Sequence, residues 1–72
     1  MVEIPNSSID RIIRKGGAIR VSKSAIITLK EELEDYGVEI SKLAYEIASY
    51  AGKKTIEDED IILAIRKMNI AK

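Results

Sequence analysis

The sequence predicts an all-α protein with three helices in the order short, long, short. Apolar residues recur from Ile26 to Tyr50 at alternating spacings of three and four, which is the period of one face of a long helix. Two shorter apolar segments each follow a hydroxyl residue that has an aspartate three positions later, as in a capping box. Glycines separate the three segments, so each has a defined end.

The capping signals place the two short helices. The first is expected over residues 8–15, with Ser7 as N-cap and Asp10 completing the box, and it ends at Gly16-Gly17. The long helix opens after Ser22 and meets no proline before Gly52. The third helix is expected to start near Thr55 and Ile56, where Thr55 and Asp58 have capping-box spacing.

The long helix carries more apolar surface than its neighbours can cover. A helix of about 28 residues spans roughly 42 Å, and flanking helices of about 8 and 13 residues span less than this. A second chain is therefore expected, with a dimer core that includes Leu29, Leu33, Tyr36, Ile40 and Leu43. Gly37 lies in the middle of this helix and has two interpretations, a close crossing of two long helices or a tolerated surface glycine.

Length and composition restrict the function. The 72 residues suit one domain, 1–72, and contain neither cysteine nor histidine. Nucleophilic catalysis and thiolate metal binding therefore lack their usual groups, and we expect no enzyme, catalytic residue, metal or cofactor. The sequence also shows no long apolar run and no basic leader, so we expect a cytoplasmic protein without a membrane span.

The charges cancel in sum but are segregated along the chain. Residues 11–23 hold five basic and no acidic side chains, and residues 31–39 hold five acidic and no basic ones. Arg20 stands alone between the glycine pair and the start of the long helix. A solvated surface charge is the simplest interpretation of Arg20, and a basic edge that binds nucleic acid is the alternative.

The order of motifs resembles an archaeal histone. "IDRIIRKGGAIRVS", a long helix, and then "AGKKTIEDEDIILAIRKM" carry the resemblance from Pro5 to Met68 without a gap. The resemblance implies the histone fold, in which two chains cross their long helices head to tail in a handshake homodimer, or in a heterodimer with another histone. It implies nonspecific binding, bending and compaction of double-stranded DNA on the chromosome.

The resemblance also assigns DNA contacts to particular residues. In the handshake, the loop after the first helix of one subunit lies beside the loop before the third helix of the other. Arg20 would enter the minor groove and be hydrogen-bonded by Thr55, while Arg11, Arg14 and Lys54 would contact phosphates. The alternative function is a histone-fold module that pairs with protein in a regulator and wraps little DNA, which the zero net charge favours.

The resemblance further implies that dimers stack on DNA into tetramers and longer oligomers. The matching positions are Ile47, Tyr50, Asp60 and Leu63, where Tyr50 replaces the histidine that hydrogen-bonds an aspartate in the family. Because the phenol oxygen lies farther from the backbone than a ring nitrogen does, we expect stacks to form less readily than in relatives with the histidine.

Overall fold

The computed structural model describes residues 4–70 and contains three helices, with no strand in that range. The helices are α1 Asn6–Lys15, α2 Lys23–Tyr50 and α3 Asp58–Ile70. The predicted all-α, short–long–short fold is confirmed, and the predicted domain 1–72 extends past the described residues at both ends. Internal contacts divide the chain into two units, Met1–Asp35 and Tyr36–Lys72, and each is described by itself below.

Helix α1 begins before the predicted cap. Pro5 is the N-cap, in extended conformation, and its carbonyl accepts the N–H groups of Ser8 and Ile9 at 3.1 and 3.3 Å. No side chain caps this end, so the predicted Ser7–Asp10 capping box is wrong. Proline suits a helix boundary because its fixed φ is compatible with the turn that follows, and Asp10 instead bonds Arg14 within the helix.

Helix α2 begins and ends with side-chain and glycine signals. Ser22 Oγ accepts the N–H of Ala25 at 3.1 Å, which confirms the predicted start. At the other end Gly52 has a φ of 72° and donates its N–H to Ser49 O, while Lys53 donates its N–H to Ala48 O at 2.9 Å. These two bonds form a Schellman motif, which needs a left-handed residue and so favours glycine.

Helix α3 begins later than the sequence predicts. Its first backbone bonds run from the N–H groups of Asp60 and Ile61 to the carbonyl of Glu57, which makes Glu57 the boundary residue. Asp60 Oδ2 in turn accepts the N–H of Glu57 at 2.9 Å, the bond that an N3 acid makes in a capping box. The predicted start near Thr55–Ile56, with Asp58 as the reciprocal acid, is therefore wrong.

In the first unit, the buried apolar residue is Ile9 on α1. The segment before α1 is also fixed, because the N–H of Ile4 donates to Glu34 Oε2 of α2 at 3.0 Å. Leu29 and Leu33, which belong to the predicted dimer core, are only half-buried here. Within this unit Ile9 is therefore buried, while Leu29 and Leu33 of the apolar stripe on α2 keep accessible surface.

In the second unit, the buried apolar residues are alanines. Ala44 and Ala48 lie one turn apart on α2, and Ala64 lies on α3. Small side chains at this spacing allow two helices to approach closely, which indicates that α3 packs along this side of α2. The predicted core residues of this unit are more accessible, since Ile40 and Leu43 are half-buried and Tyr36 is 42% exposed.

The surroundings of Gly37 bear on the crossing proposed for it. A Cβ added at Gly37 would meet no atom within 4 Å in this chain, and its carbonyl accepts the Ser41 hydroxyl at 2.8 Å. The single chain therefore has room for a side chain at this position, and any steric requirement for glycine has to come from a second chain.

Candidate nucleic-acid interface

The loop after α1 is held in place by a side chain of the helix before it. Gly17 has a φ of 111°, which turns the chain away from the helix axis at a value that L-residues rarely adopt. Arg14 then donates from Nη1 to the carbonyl of Ile19 at 2.8 Å and from Nε to Asp10 at 2.9 Å. The guanidinium thus ties the loop to α1 one residue before Arg20.

Arg20 lies on this fixed loop, and its charge has no ionic partner within residues 4–70. The residue is exposed, and its side chain makes no hydrogen bond or ion pair within residues 4–70. Arg11, on α1, is exposed in the same way. A guanidinium without an internal partner keeps all five donors for an external anion, so both arginines are accessible cations of the first unit.

Arg14 differs from the other two arginines because it is already paired. Its partner Asp10 lies one helical turn away, and both side chains are substantially exposed. Exposed pairs at this spacing are worth only about 0.3–0.5 kcal/mol, so a phosphate could replace Asp10 at small cost. The bond to Ile19 gives Arg14 a second role that the sequence did not indicate, namely fixing the loop that carries Arg20.

The loop before α3 carries two neighbouring lysines, of which one is paired with carboxylates and the other is not. Lys53 Nζ lies 3.1 Å from Glu57, 3.4 Å from Glu59 and 2.9 Å from Asp60. Lys54 is exposed and forms no ion pair within the described residues, and the adjacent Thr55 is exposed as well. Of the two lysines, Lys54 is therefore the one whose charge is available to a phosphate.

The Lys53–Asp60 contact stabilises this loop electrostatically. The N–H of Glu57 and the ammonium of Lys53 both bond the Asp60 carboxylate, and together they lower the pKa of Asp60 below its ordinary value. The Asp60 and Glu57 carboxylates in turn raise the pKa of Lys53. The sequence analysis missed the bond from Glu57, although the three-residue spacing of Glu57 and Asp60 was a usable signal.

The four residues predicted for dimer stacking all lie in the second unit, with very different exposure. Tyr50 is 95% exposed, Leu63 is exposed and Ile47 is half-buried, whereas Asp60 is only 4% exposed. The structure thus leaves three of these side chains accessible to another molecule. The fourth, Asp60, has its carboxylate occupied within the chain.

Other site classes find no support among the described residues. Residues 4–70 contain no group of three or more histidine, cysteine, aspartate or glutamate side chains that could hold a metal ion. Within the same range, no helix is both long and apolar enough to span a membrane. The accessible groups in this range include the loop cations Arg20 and Lys54, Arg11 of α1, and the rings of Tyr45 and Tyr50 on α2.

Three helices in this order, with one cation on each loop that has no ion pair within residues 4–70, are consistent with a histone-fold protein. The family model described as "Histone-like transcription factor (CBF/NF-Y) and archaeal histone" matches residues 2–65. The chain is 50% identical over 66 residues to one of the subunits of archaeal histone HAN1 from Thermococcus zilligii, covering 92% of this chain and 98% of the relative. It is 38% identical, with the same coverage, to probable archaeal histone 3 of Methanocaldococcus jannaschii.

The chain therefore belongs to the archaeal histone family. Members of this family pair as histones, bind DNA as chromatin proteins and are not enzymes, so the chain is a DNA-binding chromatin protein. The expectation that it has no enzymatic activity is confirmed by this membership.

Proposed function

We propose that the protein binds, bends and compacts double-stranded DNA without sequence specificity, as a handshake homodimer in which residues 1–72 form one histone-fold domain. The observation that carries this proposal is the pair of exposed loop cations, Arg20 and Lys54, neither of which has an ionic partner within residues 4–70. In a family that binds DNA, unpaired cations on fixed loops are suited to phosphates and to a narrow minor groove.

The handshake brings together residues that one chain holds in separate units. Arg20 belongs to the first unit and Lys54 and Thr55 to the second, and in a head-to-tail dimer the two loops of opposite subunits are neighbours. We assign Arg20 to the minor groove, where Thr55 of the other subunit hydrogen-bonds it, and we assign Arg11, Arg14 and Lys54 to phosphates. Arg14 would exchange Asp10 for phosphate while keeping its bond to the loop.

The accessible stripe of α2 supports the dimer. Its half-buried and exposed side chains are those that a second long helix would cover, and the proposed core comprises Leu29, Leu33, Tyr36, Ile40 and Leu43. Dimers would then stack on DNA through Ile47, Tyr50, Asp60 and Leu63 into tetramers and longer oligomers. We place the protein on the chromosome in the cytoplasm, as a homodimer or paired with another histone.

The proposal is tested by gel retardation of random-sequence duplexes across a salt series. With three inward-facing minor grooves about 10 bp apart, one dimer should protect roughly 30 bp. Arg20→Ala should weaken binding roughly tenfold and reduce bending on every duplex alike, because groove and phosphate contacts carry no base readout.

The matched control is Lys30→Ala, which removes one positive charge from the part of α2 that is rich in acids. This variant should bind nearly as the natural protein does. If Lys30→Ala were the more damaging change, the proposed binding edge would be wrong. If the natural protein failed to retard DNA even at low salt, the pairing-module function would replace the one proposed here.

A further inference from the structure

The loop between α1 and α2 has few hydrogen bonds of its own. Its backbone bonds to the helix before it end with the N–H groups of Gly16 and Gly17, which donate to carbonyls of α1 at 3.0 and 2.9 Å. Beyond them, residues 18–21 take part in one hydrogen bond among the described residues, the 2.8 Å bond from Arg14 Nη1 to the Ile19 carbonyl. The hydrogen bonding of this segment within the chain therefore depends on one side chain.

The side chains of this segment give it little further support. Ile19 is 86% exposed, Arg20 is exposed as well, and Ala18 and Val21 are half-buried. None of the four belongs to the buried core of the described residues. An exposed segment with few hydrogen bonds has low local stability, so we expect loss of the Arg14 bond to loosen it.

The Arg14 guanidinium is itself held in a fixed orientation. Its Nε donates to Asp10 Oδ2 at 2.9 Å while its Nη1 donates to the Ile19 carbonyl at 2.8 Å. A guanidinium is planar, so two bonds from different nitrogens fix its plane as well as its position. Lysine could not reproduce this pair of bonds, because its side chain has a carbon at the position of Nε and ends in one ammonium nitrogen.

Arg14 and Arg20 are assigned to different parts of the DNA, and the loop bond connects them. In the proposed function, a phosphate takes the place of Asp10 beside Arg14, and Arg20 enters the minor groove. Because Nη1 stays on the carbonyl of Ile19, the residue before Arg20, one side chain would hold the phosphate contact and the groove contact at a fixed separation. Phosphate contacts fix the position of a protein on a duplex, so this bond would also fix where Arg20 meets the groove.

We propose that Arg14 is a positioning residue for Arg20, which it holds in register with a DNA phosphate through the Ile19 carbonyl. The inference deepens the proposed function and rests on it. It separates what Arg14 does by its charge, which lysine would keep, from what it does by its geometry, which lysine would lose. Arg11 offers the matched comparison, because it is an exposed arginine of the same helix whose side chain makes no hydrogen bond or ion pair within residues 4–70.

A double-mutant cycle on DNA binding and bending tests this role. The natural protein, Arg14→Lys, Arg20→Ala and the double variant are compared on a random-sequence duplex of about 30 bp, by gel retardation and by energy transfer between dyes at the two ends of the duplex. Arg14→Lys should weaken binding roughly three- to tenfold, the range expected for one lost hydrogen bond, and should reduce bending. In the Arg20→Ala background the same change should cause no further loss of affinity or bending.

Arg11→Lys is the matched control, since both variants replace an arginine of α1 by a lysine. It should weaken binding less than Arg14→Lys does, and by the same factor whether or not Arg20 is present. The slope of log affinity against log salt should be unchanged in Arg14→Lys, because the number of cations at phosphates is the same. Without DNA, the NMR order parameters of the amides of residues 18–21 should fall in Arg14→Lys and stay at their natural values in Arg11→Lys.

Equal effects of Arg14→Lys with and without Arg20 would overturn the inference, because they would show that Arg14 acts on DNA independently of the loop. Unchanged order parameters in Arg14→Lys would overturn it as well, because other contacts would then hold the loop. Either result leaves the proposed function standing when the natural protein binds and bends the duplex. A natural protein that does not retard DNA would overturn the proposed function and this inference together.

Discussion

At the scale of single residues, two adjacent lysines differ in whether their charges have ionic partners. Lys53 and Lys54 are chemically identical, yet Lys53 is held by three carboxylates and Lys54 is exposed without an ion pair within residues 4–70. The resemblance to archaeal histones predicts a DNA contact for Lys54, and that contact stays a prediction. The bond from the Glu57 N–H to Asp60 was not predicted, because the capping box was placed at Thr55 and Asp58 although Glu57 and Asp60 have the same spacing.

Asp60 gives a prediction about the pH dependence of stability. Its pKa is lowered in the folded protein, first by the N–H of Glu57 and then by Lys53. Its contribution to stability is therefore fully present above the ordinary aspartate pKa of about 3.9 and is lost as the pH falls below that value through the lower folded pKa. Asp60→Asn should lower the melting temperature at pH 7, and the difference from the natural protein should shrink by pH 3.

The measurement is thermal unfolding at the two pH values and one protein concentration. Asp58→Asn is the control, because Asp58 is exposed on the same turn and forms no ion pair within the described residues; it should change the melting temperature far less at pH 7. A difference between Asp60→Asn and the natural protein that is equally large at pH 3 and pH 7 would show that the ionised carboxylate is not what stabilises this loop.

At the scale of helices, the interiors were predictable and two of the starts were not. The apolar period located α2 and Ser22 located its first turn. The start of α1 was misplaced because Pro5 can begin a helix with its carbonyl alone. The start of α3 was misplaced because two capping-box spacings overlap there, and the one used is that of Asp60, which Lys53 also bonds.

Substitutions of two serines test which of the two predicted N-caps stabilises its helix. Ser22→Ala removes the acceptor of the Ala25 N–H and should lower the free energy of unfolding by about 1 kcal/mol, or roughly 4–8 °C in melting temperature for a domain of this size. Ser7→Ala should have little effect or stabilise slightly, because Ser7 lies inside α1 without a capping bond and alanine favours helix. The two variants are compared by thermal unfolding. If both lowered the melting temperature equally, Ser7 would be an N-cap after all.

At the scale of the whole molecule, the buried core of the single chain is small. Among residues 4–70 the buried apolar side chains are Ile9 and the three alanines, while ten large hydrophobic side chains are exposed. The stripe on α2 indicated a partner chain from sequence, and the burial supports that interpretation. The geometry of the partner was not predictable from periodicity, because a repeating stripe fits several crossing arrangements equally well; that detail came from the family resemblance.

Folding and association should therefore be one event. When an obligate dimer unfolds, its midpoint depends on concentration, and a hundredfold change in concentration is worth about 2.7 kcal/mol at 25 °C. Because this free energy applies to the unfolding of both chains together, the melting temperature should rise by roughly 5–10 °C over that range. Calorimetry or circular dichroism across the dilution series measures the shift. A constant midpoint together with a monomer mass by ultracentrifugation would contradict the dimer.

The small alanine core also has a consequence for the turnover of the protein in the cell. A newly made chain that has not paired exposes its backbone and its apolar stripe, and proteases degrade open forms in proportion to how often they are populated. Pairing removes the chain from that pool by mass action. Where the chain pairs only with a different histone, we expect the number of dimers to follow the scarcer of the two chains and the surplus copies to be degraded faster; a chain that pairs with itself leaves no such surplus.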